Sequence, residues 1–425
     1  MPGGGHLLRG RHPRGAEALL RHQRRVLRRH RFARRRRQAR CHRQGPPLRR
    51  SPAPTGRVSR LDRLPVFPWD TIAEAKAVAA AHDDGIVDLS VGTPVDPTPG
   101  VAIAALTAAA DAHGYPQVWG YPQLRRAIID HLVTRWNSVE LPETGVLPVI
   151  GTKWLVAMLP ELLDLGAGDT IVIPTTAYPT YLVGGRFAGV TVVESDAPEL
   201  LPGPGQPGAP RLIWVNSPAN PHGAVMSPEL MRAWIDYARS VGAVLASDEC
   251  YGEFVYEGRA WSMLDRDLNG GSVEGIVVAM STSKESNMAG YRAGYAAGDP
   301  SIITELLGLG KHLGMMLPTP VLRAMEAVLR DRAHVAEQRE RYRARRQVLA
   351  AALRDAGFRI DHSQGALYLW ATRGEDCRAT VDWLARRGIL VAPGDFYGAA
   401  GTQHVRIGLT ASDERIAAAA TRLMG

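Results

Sequence analysis

The sequence predicts an α/β protein: a large domain built on a mostly parallel sheet flanked by helices, joined to a smaller α+β domain. Three observations carry that expectation. Short apolar runs without polar interruption recur between Val146 and Met280. Amphipathic helical stretches such as "PELMRAWIDYARSVG" separate several of them. After Pro300 the pattern changes to long polar-apolar helices followed by two late strands. Strands that are apolar at every position belong in sheets covered on both faces, the habit of parallel sheets.

The runs read as strands are "VLPVI" (146–150), "TIVIP" (170–174), "RLIWV" (211–215), "AVLAS" (243–247) and "GIVVAM" (275–280). They and their intervening helices assign 98–320 to the large domain. A helical region over roughly 321–356, the strand-like "GALYLWA" and the closing "HVRIGLT" assign 321–425 to the small one, joined by segment 58–97. In parallel sheets ligands gather beyond the carboxyl ends of the strands.

Residues 1–57 hold 18 arginines, no lysine and a single acid, Glu17. That segment is thus +17 within a chain of net charge +9, and the remainder is −8. The tail reads as a disordered, solvated extension or translated upstream sequence, with ordered protein beginning near Val58. Nucleic-acid binding by its arginines is the weaker reading, because a run of arginine alone is a weak motif. Three dispersed cysteines, Cys41, Cys250 and Cys377, argue against a disulfide framework or a thiolate metal site and suit a reducing cytosol. No apolar run approaches 18 residues, so no membrane span and a cytoplasmic location are expected.

Lysine is rare: Lys76, Lys153, Lys284 and Lys311 stand against 47 arginines. Arginine can serve on a surface but cannot lose its proton and attack a carbonyl. Each lysine is therefore a candidate nucleophile, and context ranks them. Lys284 lies in "STSKESNMAGYRAG", where Ser281 precedes it and Arg292 follows eight positions on. Lys153 falls in the "GTKW" turn, Lys311 reads as near a substrate pocket, and Lys76 as a solvated helix residue.

The strand ends together suggest one ligand. Gly151 and Thr152 stand where a helix begins, and backbone N–H groups there favour phosphate. Tyr178 offers a ring to stack on an aromatic cofactor, Asn220 sits in an Asn-Pro turn, and Asp248 and Tyr251 lie together in "SDECY". Ser281, Thr152 and Arg292 would bind the phosphate. These are the parts a pyridoxal phosphate site requires. The carboxylate pairs with the pyridine nitrogen and the lysine holds the aldehyde as a Schiff base, then shuttles a proton. Tyr251 and Asn220 would donate to the ring hydroxylate.

"STSKESNMAGYRAG", "NSPANPHG", "SDECY" and "HVRIGLT" resemble the class I/II, fold-type I pyridoxal-phosphate-dependent aminotransferases over roughly 58–425. The resemblance implies that Lys284 carries the cofactor, Asp248 pairs with its ring nitrogen and Arg406 binds the substrate α-carboxylate. It also implies a homodimer in which Tyr115, in "YPQVWG", reaches the partner's phosphate. Lys153 joins the cofactor-binding set, and Gly92 in "VDLSVGTPVDP" joins Arg406 and Asn220 at the substrate. No metal is expected. The family usually has Asn-Pro-Thr-Gly where this chain has Asn220-Pro221-His222-Gly223, and His222 is expected to titrate near neutral pH.

Fold-type I enzymes also include decarboxylases, lyases and synthases, so the cofactor alone does not fix the reaction. Within the family, "LPVFPWDTIAEAKA", "VDLSVGTPVDP", "KHLGMMLPTP", "LYLWATRGEDCR" and "GILVAPGDFYG" resemble the actinobacterial succinyldiaminopimelate aminotransferases. This implies transfer from glutamate to N-succinyl-2-amino-6-oxopimelate, on the route to diaminopimelate and lysine. The competing expectation is a transaminase for aspartate, alanine or aromatic amino acids. Ser281-Thr282-Ser283-Lys284 also fits the Ser-x-x-Lys of serine β-lactamases, but the Lys-Thr-Gly that chemistry requires is absent. A DNA-binding regulator would need a folded winged-helix module, and residues 1–57 have too few large apolar residues to build its core.

Overall fold

The computed structural model describes residues 59–425; the arginine-rich segment 1–57 lies outside them. Thirteen strands are present among these residues. They are β1 (Val87–Asp88), β2 (Val146–Val149), β3 (Thr170–Ile173), β4 (Thr191–Glu194), β5 (Leu212–Asn216), β6 (Val244–Asp248) and β7 (Ile276–Ser281). After them come β8 (Gly294–Gly298), β9 (Arg359–Asp361), β10 (Tyr368–Thr372), β11 (Ile389–Leu390), β12 (Ala392–Pro393) and β13 (Val405–Gly408).

The larger sheet has the order β2-β8-β7-β6-β5-β3-β4. All its strands run the same way except β8, which is antiparallel to both neighbours. The five strands expected from sequence are present with ends displaced by at most a residue. Their apolar continuity follows from burial on both faces: Ile213 and Leu245 pack into one core, and Leu212 and Ala246 into the other. β2 lies at the sheet edge, where Pro148 removes no ladder hydrogen bond from an interior strand.

Helix Pro228–Val241 shows how local sequence sets these elements. The Ser227 side chain accepts from the Leu230 N–H, Pro228 occupies the first turn, and Gly242 closes the helix at φ 68°. The helical region expected over roughly 321–356 is two helices, Thr319–Arg330 and Ala333–Asp355, parted at Asp331 and Arg332. The first packs on helices Gly100–Ala108 and Pro122–Trp136.

The smaller sheet runs β12-β13-β10-β9 and is antiparallel. Its core takes in Ile72, Ala75, Ala79, Val87 and Leu89 from the chain's early segment, packed with Leu384, Ile389 and Ile407. β1 pairs in parallel with β11, Val87 opposite Ile389. The stretch after β1 brings the Ser90 carbonyl to Arg406 on β13 and the Gly92 carbonyl to Lys284, just beyond β7. Among the described residues no helix is long and apolar enough to cross a membrane.

Candidate active site

The carboxyl ends of β5, β6 and β7 meet the face of β10 and β13. Ser281 ends β7, and its hydroxyl accepts from the Ser283 N–H, starting the short helix Thr282–Glu285. That cap projects Lys284 into the pocket, where Nζ donates to the Gly92 carbonyl oxygen. Burial, reinforced by the Arg406 and Arg292 cations, lowers the Lys284 ammonium below its usual range. An amine so placed sheds its proton readily and becomes a nucleophile.

Asp248, at the end of β6, accepts from the Cys250 N–H at 3.2 Å and from the Tyr181 hydroxyl at 3.0 Å. Burial pushes its carboxyl up, while these donors and the Lys284 charge oppose the shift. A carboxylate held in this way fits a cationic ring nitrogen. The Asn216 amide donates to the Asp248 carbonyl at 2.7 Å, and its oxygen accepts from the Asn220 N–H at 2.7 Å. Asp248 and Asn220 are thus locked to one frame.

Arg406 is buried on β13. Its Nη1 donates to Asn220 Oδ1 at 2.9 Å and its Nη2 to the Ser90 carbonyl at 2.7 Å, while Nε has no partner. The guanidinium lies over Tyr368, 4.0 Å from the ring centre, and 5.1 Å from that of Tyr397. Tyr251 meets Tyr368 hydroxyl to hydroxyl at 2.9 Å.

On the other side, Gly151 at φ 86° precedes helix Thr152–Leu162. A Cβ there would lie 2.2 Å from Arg292 Nη2, so only glycine lets the guanidinium cross the helix start. Arg292 itself is left-handed at φ 56°, and Nη1 donates to the Ala289 carbonyl at 2.8 Å. Free helix N–H groups beside a guanidinium suit a phosphate. Thr152 Oγ1 also takes the Cys250 thiol at 3.3 Å.

Of the other expected residues, Tyr178 lies beside Asp248 and Tyr368, and the rest lie further out. Tyr178 packs edge-on against Tyr181 at 5.8 Å, and burial pushes its phenol up to about 12. Lys153 lies outside the lysine pocket, with Nζ 5.9 Å from the Phe67 ring, lowered by burial and by Arg292. Tyr115 is 97% exposed and touches none of these groups. Lys311 is exposed in the last turn of helix Pro300–Leu313. His222 requires a correction: burial and the facing His362 ring at 5.1 Å push it down to about 4, so it stays neutral at neutral pH.

Sequence reasoning missed Tyr181, Tyr368, Asn216 and Ser90. Tyr181 follows Tyr178 by one helical turn, a spacing that marks it as a companion. Tyr368 acquires its role only when β10 pairs with β13.

The fold and this pocket define a pyridoxal-phosphate-dependent transferase of fold type I. A family model described as aminotransferase class I and II matches residues 84–423, and the chain belongs to that family. Pyridoxal 5'-phosphate is its cofactor, and the buried Asp248, the Gly151 and Arg292 cradle and the depressed Lys284 fit it. A probable aminotransferase of Mycobacterium tuberculosis, Rv1178, is 51% identical over 381 residues, 87% of this chain and 90% of that protein. The 4-dedimethylamino-4-oxo-anhydrotetracycline transaminase OxyQ of Streptomyces rimosus is 51% identical over 361 residues, 85% of this chain and 99% of that one. Among solved structures, Thermus thermophilus aspartate aminotransferase with maleate superposes with TM-score 0.76 at 26% identity, covering 87% of this chain and 99% of that one.

Proposed function

We propose that this aminotransferase moves an amino group from glutamate to N-succinyl-2-amino-6-oxopimelate, with Lys284, Asp248 and Tyr251 at the reacting centre. When bound, the cofactor would supply an electron sink for the pair freed at the substrate Cα and an aldehyde carbon on which the amino group is carried. Lys284 Nζ would hold the cofactor's aldehyde carbon and, once the substrate amine has displaced it, would carry the proton to and from the substrate Cα. Asp248 keeps the ring nitrogen protonated. Asn220 and Tyr251 donate to the ring oxygen. Gly151, Thr152, Lys153, Ser281 and Arg292 bind the phosphate, joined by Tyr115 from the second copy of a homodimer. Tyr178 covers the ring.

Arg406 is the observation that carries the amino-acid reading. It is buried and held by Asn220 and Ser90, with Nε unpartnered, beside the Gly92 turn and the lysine. A guanidinium so fixed takes a substrate α-carboxylate. Arg406→Gln is expected to raise KM for glutamate, a loss of roughly 2–5 kcal/mol in binding.

The diaminopimelate reading draws support from LL-diaminopimelate aminotransferases such as that of Desulforudis audaxviator, 32% identical over 383 residues. The identity with OxyQ favours a second reading, a bulky cyclic ketone as acceptor. A coupled assay with glutamate and each acceptor separates them. Highest kcat/KM on the succinylated oxo acid is expected; preference for a tetracyclic ketone, pyruvate or an aromatic oxo acid overturns the assignment.

A further inference from the structure

Tyr251 has one proton to donate and is expected to give it to the cofactor's ring oxygen. Its own oxygen then faces a single recorded partner, the Tyr368 hydroxyl at 2.9 Å. We propose that Tyr368 is a positioning residue for this transamination: it donates to Tyr251, aims the Tyr251 O–H at the ring oxygen and makes it a stronger donor there. The inference rests on the assignments of Lys284 and Tyr251 above.

Several features hold Tyr368 to this task. It is buried on β10, whose pairing with β13 sets Trp370 opposite Arg406 and Tyr368 opposite Gly408. The Arg406 guanidinium carbon lies over its ring, 4.0 Å from the centre. Its hydroxyl fills the place a side chain at residue 92 would take, since a Cβ on Gly92 would lie 2.0 Å from Tyr368 Oη. Gly92 in turn accepts Lys284 Nζ. Burial acts to raise the Tyr368 phenol, but the Arg406 and Lys284 cations and the Tyr251 hydrogen bond prevail and hold it below its ordinary value. Tyr251 moves the other way, pushed well up by burial and by Tyr368. The more acidic phenol is the better donor, and a chain of two hydroxyls polarises in one direction.

The test is a pH titration of the visible cofactor band in the loaded enzyme. A donor at the ring oxygen favours the form in which the neighbouring nitrogen has lost its proton, so weakening it raises the midpoint. Tyr368→Phe is expected to raise the midpoint by about half a unit to one unit, the scale of one neutral hydrogen bond. KM for glutamate should change less than about twofold, because the phenyl ring remains beneath Arg406. Added to Tyr251→Phe, the same change should produce no further shift. Gly92→Ala, which displaces the Tyr368 hydroxyl, should raise the midpoint as well. An unmoved midpoint in Tyr368→Phe, or a shift that adds in full to that of Tyr251→Phe, overturns the proposal. A parent enzyme without a visible band overturns the lysine assignment itself, and this inference with it.

Discussion

Lys284 and Glu285 are consecutive on one short helix, yet they enter opposite electrostatic settings. Lys284 Nζ finds only the Gly92 carbonyl, and burial beside two arginine cations drives its charge away. Glu285 turns into a cluster where Arg332 lies 3.6 Å from its carboxylate, touches Glu253, and Arg135 reaches Glu253 at 3.1 Å. Burial still pushes Glu285 up to about 7, with Glu253 adding to the rise. His131 beside them is held down to about 3 by burial and by Arg332 and Arg135. Similar burial has two results. A group with no salt-bridged partner among the described residues becomes reactive, whereas one given guanidinium partners becomes structural. The step of one residue around a helix separates the two.

The largest effect should come from the reactive side. Lys284→Ala should abolish turnover and remove the borohydride-trapped label, while urea unfolding stays near that of the parent. A label appearing on another side chain would break the contrast at its source. On the structural side, Arg332→Gln leaves Glu253 and Glu285 without their shared cation. Stability should fall by about 3 kcal/mol in urea unfolding, the scale of a half-broken buried pair, with the cofactor band retained. An unchanged unfolding midpoint would show that the cluster is not structural.

The third test sharpens the comparison through pH. Glu249, next to Asp248, is also pushed up to about 7 by burial, and Oε2 has no partner. Unfolded, Glu249 and Glu285 ionise near 4.5. Between pH 4.5 and about 7 the folded chain binds more protons, so these two groups lower stability as pH rises, levelling above that window. Glu249→Gln should remove one descending contribution, so that its urea midpoint rises with pH relative to the parent's across this window, where His131 and His222 act with the opposite sign. The smallest effect belongs to His222: as a neutral side chain in the folded enzyme, its change to Asn should leave the pH profile of kcat/KM between 6 and 8 unmoved. A shifted limb there would restore it as a titrating group.

The sequence announced those parts whose signal is local. Unbroken apolar runs marked β3, β5, β6 and β7, and the Lys284–Arg292 spacing marked the centre of the pocket. β8 escaped notice because "GYAAG" is glycine and alanine, a composition without strand character; close packing against β2 and β7 selects it instead. A Cβ on Gly294 would lie 2.8 Å from the Met280 carbonyl. Tyr368 was legible as a strand residue but not as a neighbour of Tyr251, since that contact forms where β10 meets the turn after β6. The low proton affinity of His222 follows from burial against His362, which no local motif encodes.

The hydrogen bond from Arg406 to the Ser90 carbonyl spans 316 positions of chain. Contacts so distant close late, after nearer ones have formed. In chain order, Asp248 and Lys284 are made well before the strand that carries Arg406. The central sheet can thus be built before the guanidinium that closes the chamber is in place.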